Sequence, residues 1–380
     1  MQATNTPAAP THLRTASAGP GRTLHLVFEG GAAADLNLFW LRDNCPSGFH
    51  PQTGERTFDL LSLPDDLAVQ SVEVDRLGAL VVRWAHDGHT SRFAPDWLWR
   101  HRPGARRADP AAIAPVCWRA ADMQAGLPRH GAGAILASDA ALRHWMQDCK
   151  RHGLSLVEGL TGGGAASMAI ARRISFLRET NFGATFEVVN LADPNNLAYT
   201  AMELPLHTDL ANQELPPGYQ FLHCIANDAA GGGSVLADGF AIAQSLREQD
   251  PQAFAALAST PVPFRFFDRT VDIRARRPVI TLDSDGALQE IAYNAHLTDL
   301  IDLPAQTMKR WYRAYRAFMR LTRDPTFRLA FKMSAGQMVV FDNRRVLHGR
   351  EAFDPSTGYR HLHGCYVDRG EFDSRLRMLG

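Results

Sequence analysis

The chain has 380 residues, more than one hydrophobic core usually organises, so two domains, or one large domain with an appendage, are expected. Hydrophobic residues make up 45% and charged residues 21%, with 40 basic side chains against 40 acidic ones, as in an ordinary globular protein. That balance gives no electrostatic case for nucleic acid or a membrane surface, and no apolar run reaches transmembrane length. The cysteines (Cys45, Cys117, Cys149, Cys224, Cys365) are scattered and odd in number, which predicts reduced thiols in the cytoplasm.

Residues 1–22 are rich in Ala, Thr, Pro and Gly and lack acidic side chains. A transit peptide shares some of that composition, but Pro7, Pro10 and Pro20 interrupt any amphipathic helix, so a disordered tail is expected. Residues 23–107 read as a small β-rich domain. Thr23–Phe28, Ala68–Val74 and Ala79–Trp84 carry strand patterns, and Ala94-Pro-Asp-Trp-Leu-Trp99 predicts a short helix with Pro near its start. Residues 108–134 mix Pro, Gly and Ala and read as a linker.

The rest, 135–380, alternates short strands with turns bearing Gly and Pro, the pattern of a jelly roll or barrel. Helices are expected over Asp139–Lys150, stopped by Gly153, and over Met168–Thr180. A longer amphipathic helix should bury Met308, Trp311, Tyr312, Tyr315, Phe318 and Met319 in the core or on a dimer surface.

Leu204-Pro-Leu-His-Thr-Asp-Leu210 carries the chemistry. In an extended strand, residues two apart share a side, so His207 and Asp209 present an imidazole and a carboxylate to one spot. They supply two thirds of the two-His-one-carboxylate triad that holds non-haem Fe(II) and leaves three positions open. Met338-Val-Val-Phe-Asp-Asn-Arg-Arg-Val-Leu-His348 supplies a later histidine after a buried strand and a turn. Arg360 follows twelve residues on, past the turn formers of Phe353-Asp-Pro-Ser-Thr-Gly358, which predicts His348 and Arg360 on adjacent antiparallel strands. A lone His-X-Asp is common on surface strands, and 15 histidines make a chance partner easy to find. The ordered set of paired ligands, a late His and a returning Arg is far rarer. It reads as a metal site that also binds a dicarboxylic acid. Arg350, two residues after His348, competes with Arg360 for the acid.

Asn195-Asn-Leu-Ala-Tyr-Thr200, the His207 block, Pro216-Pro-Gly-Tyr-Gln-Phe-Leu-His-Cys224, Gly232-Gly-Ser-Val-Leu-Ala-Asp-Gly-Phe240, Phe341-Asp-Asn-Arg-Arg-Val-Leu-His-Gly349 and Arg360-His-Leu-His-Gly-Cys-Tyr366 resemble the gamma-butyrobetaine dioxygenases. These belong to the taurine-dioxygenase-like Fe(II)/2-oxoglutarate oxygenases, and the likeness runs from about Leu36 to the C-terminus. It implies a double-stranded β-helix decorated by helices, and a homodimer. It also implies Fe(II) on His207, Asp209 and His348, with 2-oxoglutarate on Arg360 and Ser234, dioxygen as cosubstrate and ascorbate in support. The substrate implied is a quaternary ammonium acid, caged by Tyr199, Tyr366, Phe182 and Phe186 with its anion near Asn196 or Asn294. Core packing is an even rival reading for the two Phe, and turn chemistry for Ser234. Gamma-butyrobetaine hydroxylation to L-carnitine leads. 2-(Trimethylamino)ethylphosphonate or trimethyllysine is the alternative substrate, and a non-catalytic ligand-binding jelly roll the remote one. Relatives often hold structural zinc on a cysteine cluster. Here Cys45, Ser47 and His50, with His89, stand at those positions, and a Ser in place of a thiolate predicts no zinc.

Overall fold

The computed structural model describes residues 12–105, 108–194 and 196–380. The chain divides into two compact units, Met1–Ala108 and Asp109–Gly380.

In the first unit, the strands Leu13–Gly19, Thr23–Phe28 and Ala33–Asn37 form one antiparallel sheet, and Val69–Val74, Leu80–Trp84 and Thr90–Phe93 form another. Leu24, Leu26, Phe28, Trp84 and Phe93 alternate inward into a shared core. The strand Leu13–Gly19 corrects the expected tail, of which residues 1–11 lie outside the described residues. Its small polar side chains hide the strand from composition. The turn that returns it places Gly21 and Arg22 at φ of 63° and 60°, and Leu13 is buried. The expected helix is present as Pro95–His101.

The second unit is a double-stranded β-helix. Six strands, in the spatial order Arg129–Gly131, Leu154–Glu158, Met338–Asp342, Tyr219–Asn227, Arg360–Val367 and Thr185–Val188, form the larger sheet. Leu204–His207, Val346–Arg350, Ser234–Asp238 and Leu329–Phe331 form the smaller one. Leu156, Val339, Phe341 and Leu362 from the larger sheet meet Leu236, Leu329 and Val346 from the smaller in one apolar layer. The larger sheet buries its other face, with Met338, Val340, Phe221 and Val367, under helices Asp139–His152, Gly164–Arg172 and Arg369–Leu379. Helices Gly239–Gln249, Pro251–Ser259 and Ala305–Arg323 cover the smaller sheet's outer face. Strands buried on both faces explain why Met338–Phe341 is continuously apolar.

Four expectations change here. The supposed linker 108–134 is built into this unit: it holds the helix Ala120–Gly126 and the edge strand Arg129–Gly131, and buries Trp118 and Met123. Buried Arg345 secures it, donating to the Val116 carbonyl (2.7 Å) and to Asp238 (2.8 Å), while the Trp118 amide donates to the same carboxylate (3.1 Å). The helix expected over 168–180 runs instead over Gly164–Arg172. Beyond it, the Arg178 amide donates to the Tyr366 carbonyl (2.9 Å) and its guanidinium pairs with Asp368, drawing the segment out of helix. On Ala305–Arg323 the buried stripe is Trp311, Ala314, Tyr315, Phe318 and Thr322, whereas Tyr312 stays 46% exposed. Finally, His348 and Arg360 lie in opposite sheets rather than on adjacent strands. The chain crosses between them through Phe353–Asp354, which pairs with Ala230–Gly231.

Candidate active site

A cavity of about 340 Å³ opens between the two sheets at one mouth of the roll. Its lining contains every site residue expected from sequence: His207, Asp209, His348, Arg360, Ser234, Tyr199, Tyr366, Phe182, Phe186, Asn196 and Asn294.

His207 ends its strand and lies opposite His348 on the neighbouring one. A bulge between Leu204 and His207 lets both of those side chains face the cavity. The strand stops at His207, so Asp209 is not placed by strand alternation as expected. It sits in a turn followed by Leu210 at φ 56°, a left-handed backbone that costs a non-glycine residue of order 1–3 kcal/mol. Asn343 holds that turn: its side-chain oxygen accepts from the Asp209 amide (2.7 Å), and its nitrogen donates to the Asp209 carbonyl (3.0 Å).

Asp209 Oδ1 lies 3.2 Å from His207 Nε2 and 3.6 Å from His348 Nε2. His207 Nδ1 contacts the Pro205 carbonyl at 2.8 Å, and since a carbonyl only accepts, Nδ1 carries the proton. An imidazole protonated at Nδ1 alone would turn a lone pair toward that carboxylate oxygen, an arrangement that a cation between them relieves. The donor set, two imidazole nitrogens and one carboxylate, suits non-haem iron. Asp209 Oδ2 is turned away from the histidines and accepts from the Tyr366 hydroxyl (2.8 Å). Burial alone would raise the Asp209 carboxyl, but His348, His207 and Tyr366 together hold it well below the usual carboxylate range. Burial, aided by Asp209, pushes the Tyr366 phenol well up, which keeps it a donor. Burial and the neighbouring His207 lower His348 to about 3, so it is neutral and able to ligate.

The two arginines differ in what they touch. Arg350 donates to the carbonyls of Ala198 (3.0 Å), Thr200 (2.6 Å) and Met202 (2.7 Å). Its two terminal nitrogens are spent on shaping the segment that carries Tyr199. Among the described residues, Arg360 donates from Nε to the Gly232 carbonyl at 3.3 Å and has no carboxylate partner. Gly232, at φ 69°, makes room for it, since a Cβ there would stand 3.0 Å from its side chain. Burial lowers Arg360 to about 10, so it remains charged at neutral pH. Ser234 lies beside Arg350 in the smaller sheet, on the cavity wall.

The aromatic residues line the wall next to the triad. Phe186 lies over Gly364, where any side chain would collide with it, and stacks on Tyr366 with centroids 5.1 Å apart. Phe182 meets Phe266 edge-on. Asn196 accepts from the Ala198 amide (2.9 Å) and so caps the turn bearing Tyr199. Asn294, on the cavity lining, is held by backbone partners. Its nitrogen donates to the Thr208 carbonyl (3.0 Å) and its oxygen accepts from the His296 and Leu297 amides.

Sequence reasoning missed the Tyr366–Asp209 bond, Asn343, and the cavity residues Gln220 and His296, whose ring centroid is 5.8 Å from that of His207. The signal for Asn343 was present as a polar pair in the turn between an apolar strand and a ligand. Nothing local pointed to the others. In the N-terminal unit, Cys45 Sγ lies 3.2 Å from Ser47 Oγ and 3.4 Å from His89 Nε2, and Ser47 Oγ lies 3.1 Å from the same nitrogen. His50 Nδ1 accepts instead from the Thr53 amide (3.3 Å).

Residues 128–366 match the model of the taurine catabolism dioxygenase TauD, TfdA family, and residues 17–99 match that of the gamma-butyrobetaine hydroxylase-like N-terminal domain. A gamma-butyrobetaine dioxygenase of Pseudomonas sp. (strain AK-1) is 45% identical, with 93% of each chain covered. The human gamma-butyrobetaine dioxygenase is 32% identical over 90% of each chain. The mitochondrial trimethyllysine dioxygenase of Gallus gallus is 31% identical, covering 91% of this chain and 83% of that one. The crystal structure of AAD-2 with Mn(II) and N-oxalylglycine superposes with a TM-score of 0.50 at 14% identity, over 61% of this chain and 90% of that one, and so shares the fold. With a His-Asp-His cluster at the mouth of a double-stranded β-helix and a match over most of its length, the chain belongs to the taurine catabolism dioxygenase TauD, TfdA family.

Proposed function

We propose that this dioxygenase hydroxylates gamma-butyrobetaine to L-carnitine, using Fe(II), 2-oxoglutarate and dioxygen, with ascorbate in support. The observation that carries the reading is the division of one cavity into a triad, an unpaired buried guanidinium and an aromatic wall. His207, Asp209 and His348 would hold the iron, which when bound supplies dioxygen activation coupled to decarboxylation of 2-oxoglutarate. The Arg360 fork suits the far carboxylate of that acid, and Ser234 adds a hydroxyl nearby. Tyr366 keeps Asp209 turned toward the ligand position while its ring, stacked with Phe186, faces the cavity.

A trimethylammonium head has no hydrogen to donate, so aromatic faces must hold it. Tyr199, Tyr366, Phe186 and Phe182 supply such faces, and the names of the Pseudomonas and human relatives favour gamma-butyrobetaine. Asn196 offers its amide nitrogen to the substrate anion. Asn294 instead positions the Thr208 backbone between the two ligands. Closing of the cavity around both acids excludes water and orients the substrate carbon. Trimethyllysine is the second reading, from the 31% identical relative of that name.

The enzyme is further proposed to be a cytoplasmic homodimer. Its five cysteines are all unpaired, and among the described residues no helix is long and apolar enough to cross a membrane. Light scattering measures the dimer. The substrate is tested by succinate formation with iron and a panel of gamma-butyrobetaine, trimethyllysine, 2-(trimethylamino)ethylphosphonate and taurine. Gamma-butyrobetaine should give the highest kcat/KM, and a preference for taurine would overturn the reading.

A further inference from the structure

One other group among the described residues brings three metal-ligand atoms within 4.8 Å of one another: His130, His144 and Asp148. His144 and Asp148 stand one turn apart on helix Asp139–His152 and so share a face. His130 comes from Arg129–Gly131, the short parallel strand at the edge of the larger sheet. Asp148 Oδ2 lies 3.2 Å from His130 Nε2 and 3.7 Å from His144 Nε2. Around a tetrahedral ion with bonds of about 2.0–2.1 Å, neighbouring ligand atoms stand about 3.3 Å apart, close to the 3.2 Å of the first pair and a little shorter than the 3.7 Å of the second.

A network of hydrogen bonds is the ordinary alternative for such a cluster. His130 argues against it: Nε2 is sealed from solvent and lacks a well-aligned hydrogen bond, although a carboxylate oxygen stands 3.2 Å away. A buried ring nitrogen aimed at a carboxylate without the alignment of a hydrogen bond is poorly satisfied, which is unfavourable. A cation shared between them would use both lone pairs. The other carboxylate oxygen, Oδ1, accepts from Arg151 (3.0 Å), which leaves Oδ2 to the histidines. The His144 side chain is 70% exposed, so an ion has a route in from solvent.

We infer that His130 Nε2, His144 Nε2 and Asp148 Oδ2 form a second cation site, for a borderline divalent ion of the zinc class with solvent at the fourth position. Imidazole nitrogen with one carboxylate selects such an ion over calcium or magnesium, which take oxygen ligands. Three protein ligands at the surface bind less tightly than a closed set of four. Occupancy would tie the three-residue edge strand to the helix that covers its sheet.

The test uses zinc ions and the full-length chain carrying Asp209→Ala and Cys45→Ala, which removes the triad's carboxylate and the N-terminal thiolate. Equilibrium dialysis should then find a single zinc per chain, and zinc should raise Tm. Adding His144→Ala, a mostly exposed position, should weaken zinc binding about tenfold or more and cancel the rise in Tm. Asp148→Asn, which keeps the shape and removes the charge, should do the same. Calcium should give neither effect. Failure to retain zinc, or zinc binding unchanged by both His144→Ala and Asp148→Asn, would overturn the site.

Discussion

Each unit gathers metal-ligand side chains, and the N-terminal cluster and the cavity triad differ in how their polar atoms are satisfied. At Cys45, Ser47 and His89, thiol, hydroxyl and imidazole lie 3.1 to 3.4 Å apart and answer one another's hydrogen bonds. At His207, Asp209 and His348, partners occupy the far side of the ligands, Pro205 on His207 and Tyr366 on Asp209, and the near atoms converge on a point that no protein atom serves. The same contrast separates Arg350, spent on three carbonyls, from Arg360, which retains its fork. A binding site is thus marked less by its residue types than by valence the fold leaves open.

The largest test removes the open valence itself. Asp209→Ala should abolish iron-dependent conversion of 2-oxoglutarate to succinate while circular dichroism stays native, and His348→Ala should match it. Wild-type turnover in either variant would end the assignment. Next come the arginines. Leaving a buried carboxylate unpaired costs roughly 3–5 kcal/mol, so Arg360→Ala should raise the KM for 2-oxoglutarate about a hundredfold or more. Arg350→Ala should act mainly on the trimethylammonium substrate, by loosening the Tyr199 segment. A larger cosubstrate defect in Arg350→Ala would reverse the contrast.

A smaller effect belongs to the partner on the far side of a ligand. Tyr366→Phe keeps the ring and removes the donor to Asp209 Oδ2, and iron affinity, read by titration under anaerobic conditions, should fall about 10–100-fold. Unchanged affinity would mean that Asp209 needs no such orientation. Smaller again is the test of the aromatic wall. Replacing the substrate nitrogen by carbon keeps the volume and removes the cation–π attraction, worth about 2 kcal/mol when desolvated. Easier desolvation of the neutral head offsets part of this, so kcat/KM should fall about tenfold, and Tyr199→Leu should narrow the gap. Equal turnover of the two would remove the quaternary-ammonium reading. The least change is expected in the N-terminal unit: Cys45→Ala should leave the zinc content of purified protein as it was. Loss of a zinc ion on that substitution would show that Ser47 has not closed the cluster.

Much of this architecture is legible in the residues. Alternation marks Thr23–Phe28 and Leu80–Trp84, helical spacing with a Gly stop marks Asp139–His152, and His207, Asp209, His348 and Arg360 are found as an ordered set. Those signals are local, because each depends on the periodicity of a single element or on residue type at short range. The bounds of one helix, the buried face of another and the linker fared worse. Tyr312 is apolar enough for the core yet points away from it, and residues 108–134 look like linker until Arg345 and Asp238 bind them from far along the chain.

What sequence alone determined is therefore the chemistry available: an iron-type donor set, a guanidinium for an acid, and aromatic side chains for a cation. Only the tertiary structure decided which atoms are free to do it. His348 and Arg360, close in sequence, face the cavity from opposite sheets, and Asp209 reaches its place through a strained turn held by Asn343 and Tyr366 rather than through strand alternation. Asn294, read as a ligand group in the chain, also donates to the Thr208 carbonyl and accepts from the His296 and Leu297 amides in the fold. The reason is that a hydrogen-bonding group has few places to give, and partners 85 or 157 residues away, as for Thr208 with Tyr293 and Asp209 with Tyr366, take them without any local trace.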